Sequence, residues 1–153
     1  WEAHVERLTR LNLPGDYTAL WWDVRPHPRF GTLELRMPDQ PTAVERTGAF
    51  VALLRGLCAW ALEQPRGTPD PAARGVYQQN RWAAARFGPR AELISPDGDR
   101  RVAASELARE LFELAETDGS LDPDSCEADH LLEVGLEGAA AELAARSLAS
   151  SPG

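Results

Sequence analysis

Lysine is absent from this chain. All 16 basic residues are arginine, set against 24 acids for a net charge of −8. An alanine-rich, lysine-free composition reads as a GC-rich coding bias, and no mechanism is drawn from it. The shortage of positive charge argues against a nucleic-acid or anionic-membrane partner, since both call for a basic surface that releases counterions. Cysteine is nearly as scarce. Cys58 and Cys126 form neither a disulfide framework nor a metal-ligand spacing. Long apolar runs are missing too: none approaches the roughly 18–20 residues of a membrane span, and no stretch has the pattern of a secretory leader. A cytoplasmic, reducing setting is the expectation.

What is present suffices for a folded body. Apolar residues make up 43% of the 153 and charged residues 26%, which is enough for a core and unlike a disordered chain. The length suits one domain or a piece of a larger one. The chain opens at Trp1 inside a helical pattern, with Val5, Leu8 and Leu11 at helical spacing. The expectation is that an N-terminal remainder of the same protein precedes it.

After a loop at Asn12–Asp16, two β-like runs are predicted, Leu20–Val24 and Phe30–Arg36, together spanning 20–36. The second alternates strictly, with Thr32, Glu34 and Arg36 on one face and Leu33 and Leu35 on the other. The intervening Arg25–Arg29 holds two prolines that exclude it from a regular ladder. So short a connection demands an antiparallel pair. A long helix follows over 42–63, capped near Thr42, with Val44, Thr47, Val51, Leu54, Cys58 and Ala61 as its buried stripe. The segment 64–71 holds three prolines and a glycine and reads as a loop, the segment most open to motion. A weaker helix covers 72–86. Asp97-Gly98 marks a hairpin over 91–102. The span 105–150 is a helical cover: a helix at 105–116 with Leu107, Leu111, Leu114 and Ala115 inward, then helices near 126–134 and 139–150, and a frayed tail. The predicted class is α+β, a small antiparallel sheet covered by helices.

Chemistry concentrates between Trp21 and Asp39. Glu34 and Arg36 stand two residues apart on a strand and project the same way. A carboxylate suits Mg²⁺, a hard cation that takes oxygen ligands and substrate phosphates. An arginine fork suits phosphate or carboxylate oxygens. Ion-paired strand faces are common, and from spacing alone the pair reads first as an ion pair on a solvated face. His27, between two prolines, reads as a solvated loop histidine, and His4 and His130 as surface residues. Cys58 reads as a core hydrophobe and Cys126 as an inert thiol. One of Trp21 and Trp22 must face inward, leaving at most one for a pocket. Asp23 and Asp39 flank the strand pair and suit either the orienting of a neighbouring site residue or turn and cap roles, and Arg100-Arg101 suit a solvated strand edge.

The run Leu20-Trp-Trp-Asp-Val-Arg-Pro-His-Pro-Arg-Phe-Gly-Thr-Leu-Glu-Leu-Arg-Met-Pro-Asp39 resembles the pattern WWD-[IV]-RP-x-P-x-[FY]-GT-[IVL]-E-[IV]-R-x-x-D of the second glutamate–cysteine ligase family, bacterial ATP-dependent carboxylate–amine ligases. Downstream, Asn80-Arg-Trp-Ala-Ala-Ala-Arg-Phe-Gly88 is similar to that family's N-R-W-x-A-x-R-x-G segment. The resemblance runs from Trp1 to about Leu114 and corresponds to the C-terminal portion of a typical member. It implies part of a glutamine-synthetase-like catalytic fold that uses ATP and Mg²⁺ to activate a carboxylate as an acyl phosphate, which an amine then attacks. Glutamate or another carboxylate and an amine such as cysteine would be the small-molecule substrates. Carried over residue by residue, Glu34 would be a metal ligand and Arg36 the catalytic phosphate or acyl-phosphate contact. Arg25, Asn80, Arg81 and Arg86 would bind substrate or nucleotide. The earlier family strands, with the other metal-binding carboxylates, lie outside this chain, and Pro89 stands where the family usually has leucine. The chain alone is therefore expected to be inactive, to work with its N-terminal remainder and to be open to homo-oligomerisation. The rival reading is a non-catalytic binding or interaction module that kept the ligase strand and works with a partner chain.

Overall fold

The computed structural model describes residues 2–11, 17–65, 67, 70, 72–117 and 120–149. It divides into two compact units, Trp1–Gln40 and Pro41–Gly153. The predicted loop at 12–16, most of the segment 66–71 and the tail from 150 fall outside the described residues.

The first unit carries helix α1 (Glu2–Arg10), a 3-10 turn at Tyr17–Ala19, and strands β1 (Val24–His27) and β2 (Thr32–Leu35). The strands are antiparallel, as their short connection requires, with Val24 opposite Leu35, Arg25 opposite Glu34, Pro26 opposite Leu33 and His27 opposite Thr32. The first strand thus begins at Val24, where the predicted run 20–24 ends, and passes through a proline expected to break it. The alternation of an antiparallel ladder supplies the reason. The Arg36 N–H donates to the Asp23 carbonyl at 2.8 Å, so Asp23, Arg25 and His27 occupy the hydrogen-bonded positions. Pro26 falls between them, where its missing N–H would have pointed away from β2. Gly31 closes the turn at φ +63°, a conformation that suits glycine, and its N–H donates to the His27 carbonyl at 2.9 Å.

The second unit holds α2 (Val44–Glu63), α3 (Ala73–Phe87), β3 (Glu92–Ile94), β4 (Arg101–Ala103), α4 (Ala104–Leu114) and α5 (Glu127–Ala149). The predicted hairpin stands, with Leu93 paired to Val102 and Gly98 at φ +82°. Ser95, fully buried before the turn, accepts the Arg100 N–H on its hydroxyl at 3.1 Å and hydrogen-bonds Asp97. The core is small: Ala83 of α3, Ala91, Leu93 and Val102, with Ala104 and Leu107 of α4 against them. Among the described residues the strands form two separate two-stranded ladders rather than one sheet.

Helix α2 departs from expectation in its inward face. Val51 is 60% exposed and Cys58 is exposed, whereas Ala49 is buried and Leu53, Gly56 and Leu57 are half-buried. A helix this rich in apolar residues on most sides offers several stripes at helical spacing. Backbone proximity selects among them: a Cβ at Gly56 would lie 2.1 Å from the Ala115 carbonyl oxygen, so α2 meets the end of α4 along its glycine side. Thr42 caps nothing, and Ala43 takes the N-cap position without a side-chain bond. The Thr42 hydroxyl instead joins Glu127 and Arg146. The two final helices are one span broken at Gly135, whose φ is +72°. The halves fold back on each other, pairing Glu127 with Arg146 at 2.8 Å and His130 with Glu142 at 2.7 Å. Cys126, before this span, donates from Sγ to Asp129 at 3.3 Å, and Arg90 grips Asp129 with both terminal nitrogens. The hydrogen bond from Arg90 holds the Asp129 carboxyl below its usual range, helped by the one from Cys126. Among the described residues no helix is long and apolar enough to cross a membrane.

Candidate functional site

The polar face of the β1–β2 hairpin brings three of the predicted site residues together, Arg25, Glu34 and Arg36. Register sets it up: directly opposite residues share a face, so Arg25 and His27 stand beside Glu34 and Thr32, while Val24, Pro26, Leu33 and Leu35 take the other face. Arg25 is only 8% exposed although charged. Its Nε donates to Glu34 Oε2 at 2.8 Å and its Nη2 approaches the same oxygen at 2.5 Å. Its Nη1 donates to the Thr18 carbonyl at 2.5 Å and the Leu20 carbonyl at 3.3 Å. A buried guanidinium needs this degree of pairing to offset lost hydration. The sequence places Arg25 as a substrate clamp; in the fold its donors turn toward the protein and make it a strut.

Glu34 bridges two arginines. Its other oxygen accepts from Arg36 Nη1 at 3.0 Å. The Arg25 hydrogen bond holds the Glu34 carboxyl below its ordinary range against partial desolvation, and the charges of Arg25 and Arg36 add to the effect. Arg36 also lies over an aromatic face, with its guanidinium carbon 4.7 Å from the centre of the Trp21 ring. Trp21 is 80% exposed, while Trp22 is half-buried and packs against His4 at 5.6 Å. The two tryptophans thus differ in exposure although both lie ahead of β1, outside any strand.

His27 is not a solvated loop histidine. It ends β1, stacks on Phe30 at 4.4 Å and meets Tyr17 edge-on at 5.4 Å. Its Nδ1 is buried and has no partner among the described residues.

Asn80, Arg81 and Arg86 lie on α3, in the other unit. Asn80 turns inward: its Nδ2 donates to the Ile94 carbonyl at 2.7 Å, and its Oδ1 accepts the Ile94 N–H at 2.8 Å. Ile94 sits at a position of β3 whose backbone points away from β4, so the carboxamide stands in for a neighbouring strand. Arg81 and Arg86 are exposed. Arg86 lies 5.5 Å over the Phe87 ring, which meets Trp82 edge-on at 5.8 Å. Sequence reasoning missed the Arg25 strut, the Asn80 brace and the Trp21–Arg36 contact. A tryptophan just ahead of the first strand, whose partner strand is followed by an arginine, was the signal available for the last.

Whether a divalent cation suits this face turns on Glu34. Among the described residues no group of three His, Cys, Asp or Glu could hold a metal. Glu34 nevertheless stays ionised and its side chain is 37% exposed. Each carboxylate oxygen carries two lone pairs, and the arginines do not exhaust them. It fits as a single ligand of a largely hydrated ion such as Mg²⁺, which is usually held by one or two carboxylates and by substrate phosphates.

Comparison with known proteins bears on this geometry. The family model described as glutamate–cysteine ligase family 2 matches residues 2–137. A Rubrobacter xylanophilus protein provisionally named glutamate–cysteine ligase 2-3 is 48% identical over 115 residues, covering 72% of this chain and 30% of its own length. A Bordetella petrii protein provisionally named glutamate–cysteine ligase 2 is 37% identical over 113 residues, covering 74% of this chain and 26% of its own. The chain thus spans less than a third of the length of these relatives.

Proposed function

This chain belongs to glutamate–cysteine ligase family 2, and from that membership together with the Arg25–Glu34–Arg36 triad we infer that it forms part of the active site of an ATP-dependent carboxylate–amine ligase. The observation that carries the reading is the triad itself. It holds an ionised carboxylate beside a guanidinium that keeps N–H donors in hand. Glutamate is the proposed acyl donor and an amine such as cysteine the acceptor, joined through an acyl phosphate in a cytoplasmic setting.

Phosphoryl transfer depends on positioning and charge neutralisation more than on a side-chain nucleophile. Mg²⁺ bound with ATP would offset phosphate charge. Glu34 would hold that ion, oriented by Arg25 beneath it. Arg36 would grip phosphoryl or acyl-phosphate oxygens from the same face. Arg81 and Arg86 belong to the reading as exposed cations on α3, whereas Asn80 enters it as the brace that fixes that helix to its hairpin. The remaining metal ligands and nucleotide contacts are assigned to polypeptide outside these residues, in keeping with the greater length of the relatives.

ADP release tests the reading. The 153-residue chain alone should turn over no ATP. Joined behind the preceding portion of the Rubrobacter xylanophilus relative, it should release ADP only when glutamate and one of a panel of amines are both present. Failure of that chimera, where the relative with its own C-terminal portion is active, would overturn it.

A further inference from the structure

We propose that Trp21 is a positioning residue for Arg36, forming with Glu34 a two-point hold that aims the arginine's remaining N–H donors at an anionic group. The inference rests on the reading of Arg36 as a phosphoryl contact and adds to it the device that makes the contact ready in advance. Arginine on an exposed strand samples many rotamers. Here one end is fixed by the Nη1–Glu34 bond at 3.0 Å and the flat of the guanidinium by the indole, 4.7 Å from its centre. The backbone supports the approach. The Arg36 N–H donates to the Asp23 carbonyl, setting Arg36 opposite Asp23, two residues from Trp21 in the chain. The other N–H groups of Arg36 have no partner among the described residues. Trp21, at 80% exposure, fills no core. The stacking face is thus the role its position leaves.

The test uses the full 153-residue chain with Trp21→Phe and Trp21→Leu, both expected to fold because the side chain is exposed. The Arg36 Nε–Hε signal, identified by its loss in Arg36→Lys, reports order through its heteronuclear NOE. Wild type should show a rigid Arg36, Trp21→Leu a mobile one, and Trp21→Phe should largely restore rigidity, with thermal midpoints unchanged. Inorganic phosphate should shift this signal in wild type. Its affinity should fall about two- to fivefold in Trp21→Leu, the range of an exposed cation–π contact. Equal Arg36 mobility in wild type and Trp21→Leu would overturn the proposal. If Trp21 orders Arg36 yet phosphate moves no signal in any variant, the positioning role stands and the anion role of Arg36 falls.

Discussion

Gly56 lies so close beneath the backbone of Ala115 that a single methyl group would stand 2.1 Å from the Ala115 carbonyl oxygen. Helix α2 and the end of α4 meet only because that methyl is absent. Gly56→Ala should therefore destabilise the protein, although alanine favours a helix by up to about 1 kcal/mol. Overpacking against backbone costs about 1–3 kcal/mol, so a net loss is expected. A denaturation midpoint at or above wild type would show that the two helices separate freely.

Asn80→Ala removes both partners of the Ile94 backbone at once. Leaving two half-buried groups unsatisfied should cost about 1–3 kcal/mol, measured by urea unfolding with no ligand present. Asn80→Asp keeps an acceptor for the Ile94 N–H but sets a carboxylate against the Ile94 carbonyl, and should be no better. Wild-type stability in both variants would return Asn80 to the list of ligand contacts.

The Glu34 carboxyl binds its proton less readily in the folded state than in the unfolded chain, where the ordinary value is 4.5. Its contribution to stability is present above about that pH and is lost as pH falls through the lowered folded value. Glu34→Gln should make the acid limb of the stability profile shallower. It should not abolish it, because Asp97, Asp122, Asp129 and Glu142 are also held low by hydrogen bonds. An unchanged acid limb would mean that the arginine bridge contributes nothing in solution.

In the ligase chimera, Arg36→Lys keeps the charge and loses the fork. Turnover should drop on the order of 100–1,000-fold, the usual effect of losing one preorganised contact to a developing anion, with the thermal midpoint preserved. Near-normal turnover would make Arg36 a surface ion pair.

The first unit should self-associate when the chain is isolated. Val24, Leu33, Phe30 and Met37 are exposed on or near a two-stranded ribbon, a form marginally stable without further packing. Light scattering across a concentration series should show dimers or larger species, and Leu33→Glu should reduce them. A monomer at every concentration would contradict this.

Several of these features were legible in the residues and several were not. Asp97-Gly98 specified its hairpin because a turn with positive φ is a local requirement. The shared face of Glu34 and Arg36 followed from the two-residue period of a strand. Arg25 could not be set opposite Glu34 without the register, and register depended on whether Pro26 fell at a hydrogen-bonded position. Proline composition is silent on that point. The inward face of α2 was hidden for a different reason: with apolar residues on most sides, only the approach of Ala115 to Gly56 chooses among them. Asn80 looked like a ligand contact because its true partner, Ile94, is fourteen residues away in sequence and adjacent only in the fold.

Pro26 also gives the small ladder a direction of growth. The outward edge of β1 lacks a donor at this residue, while Leu33 and Leu35 of β2 sit at positions whose N–H and C=O groups turn away from β1. A further strand would find a broken row on the first edge and an intact one on the second. Any larger sheet that incorporates this hairpin therefore extends from β2, with β1 as its rim.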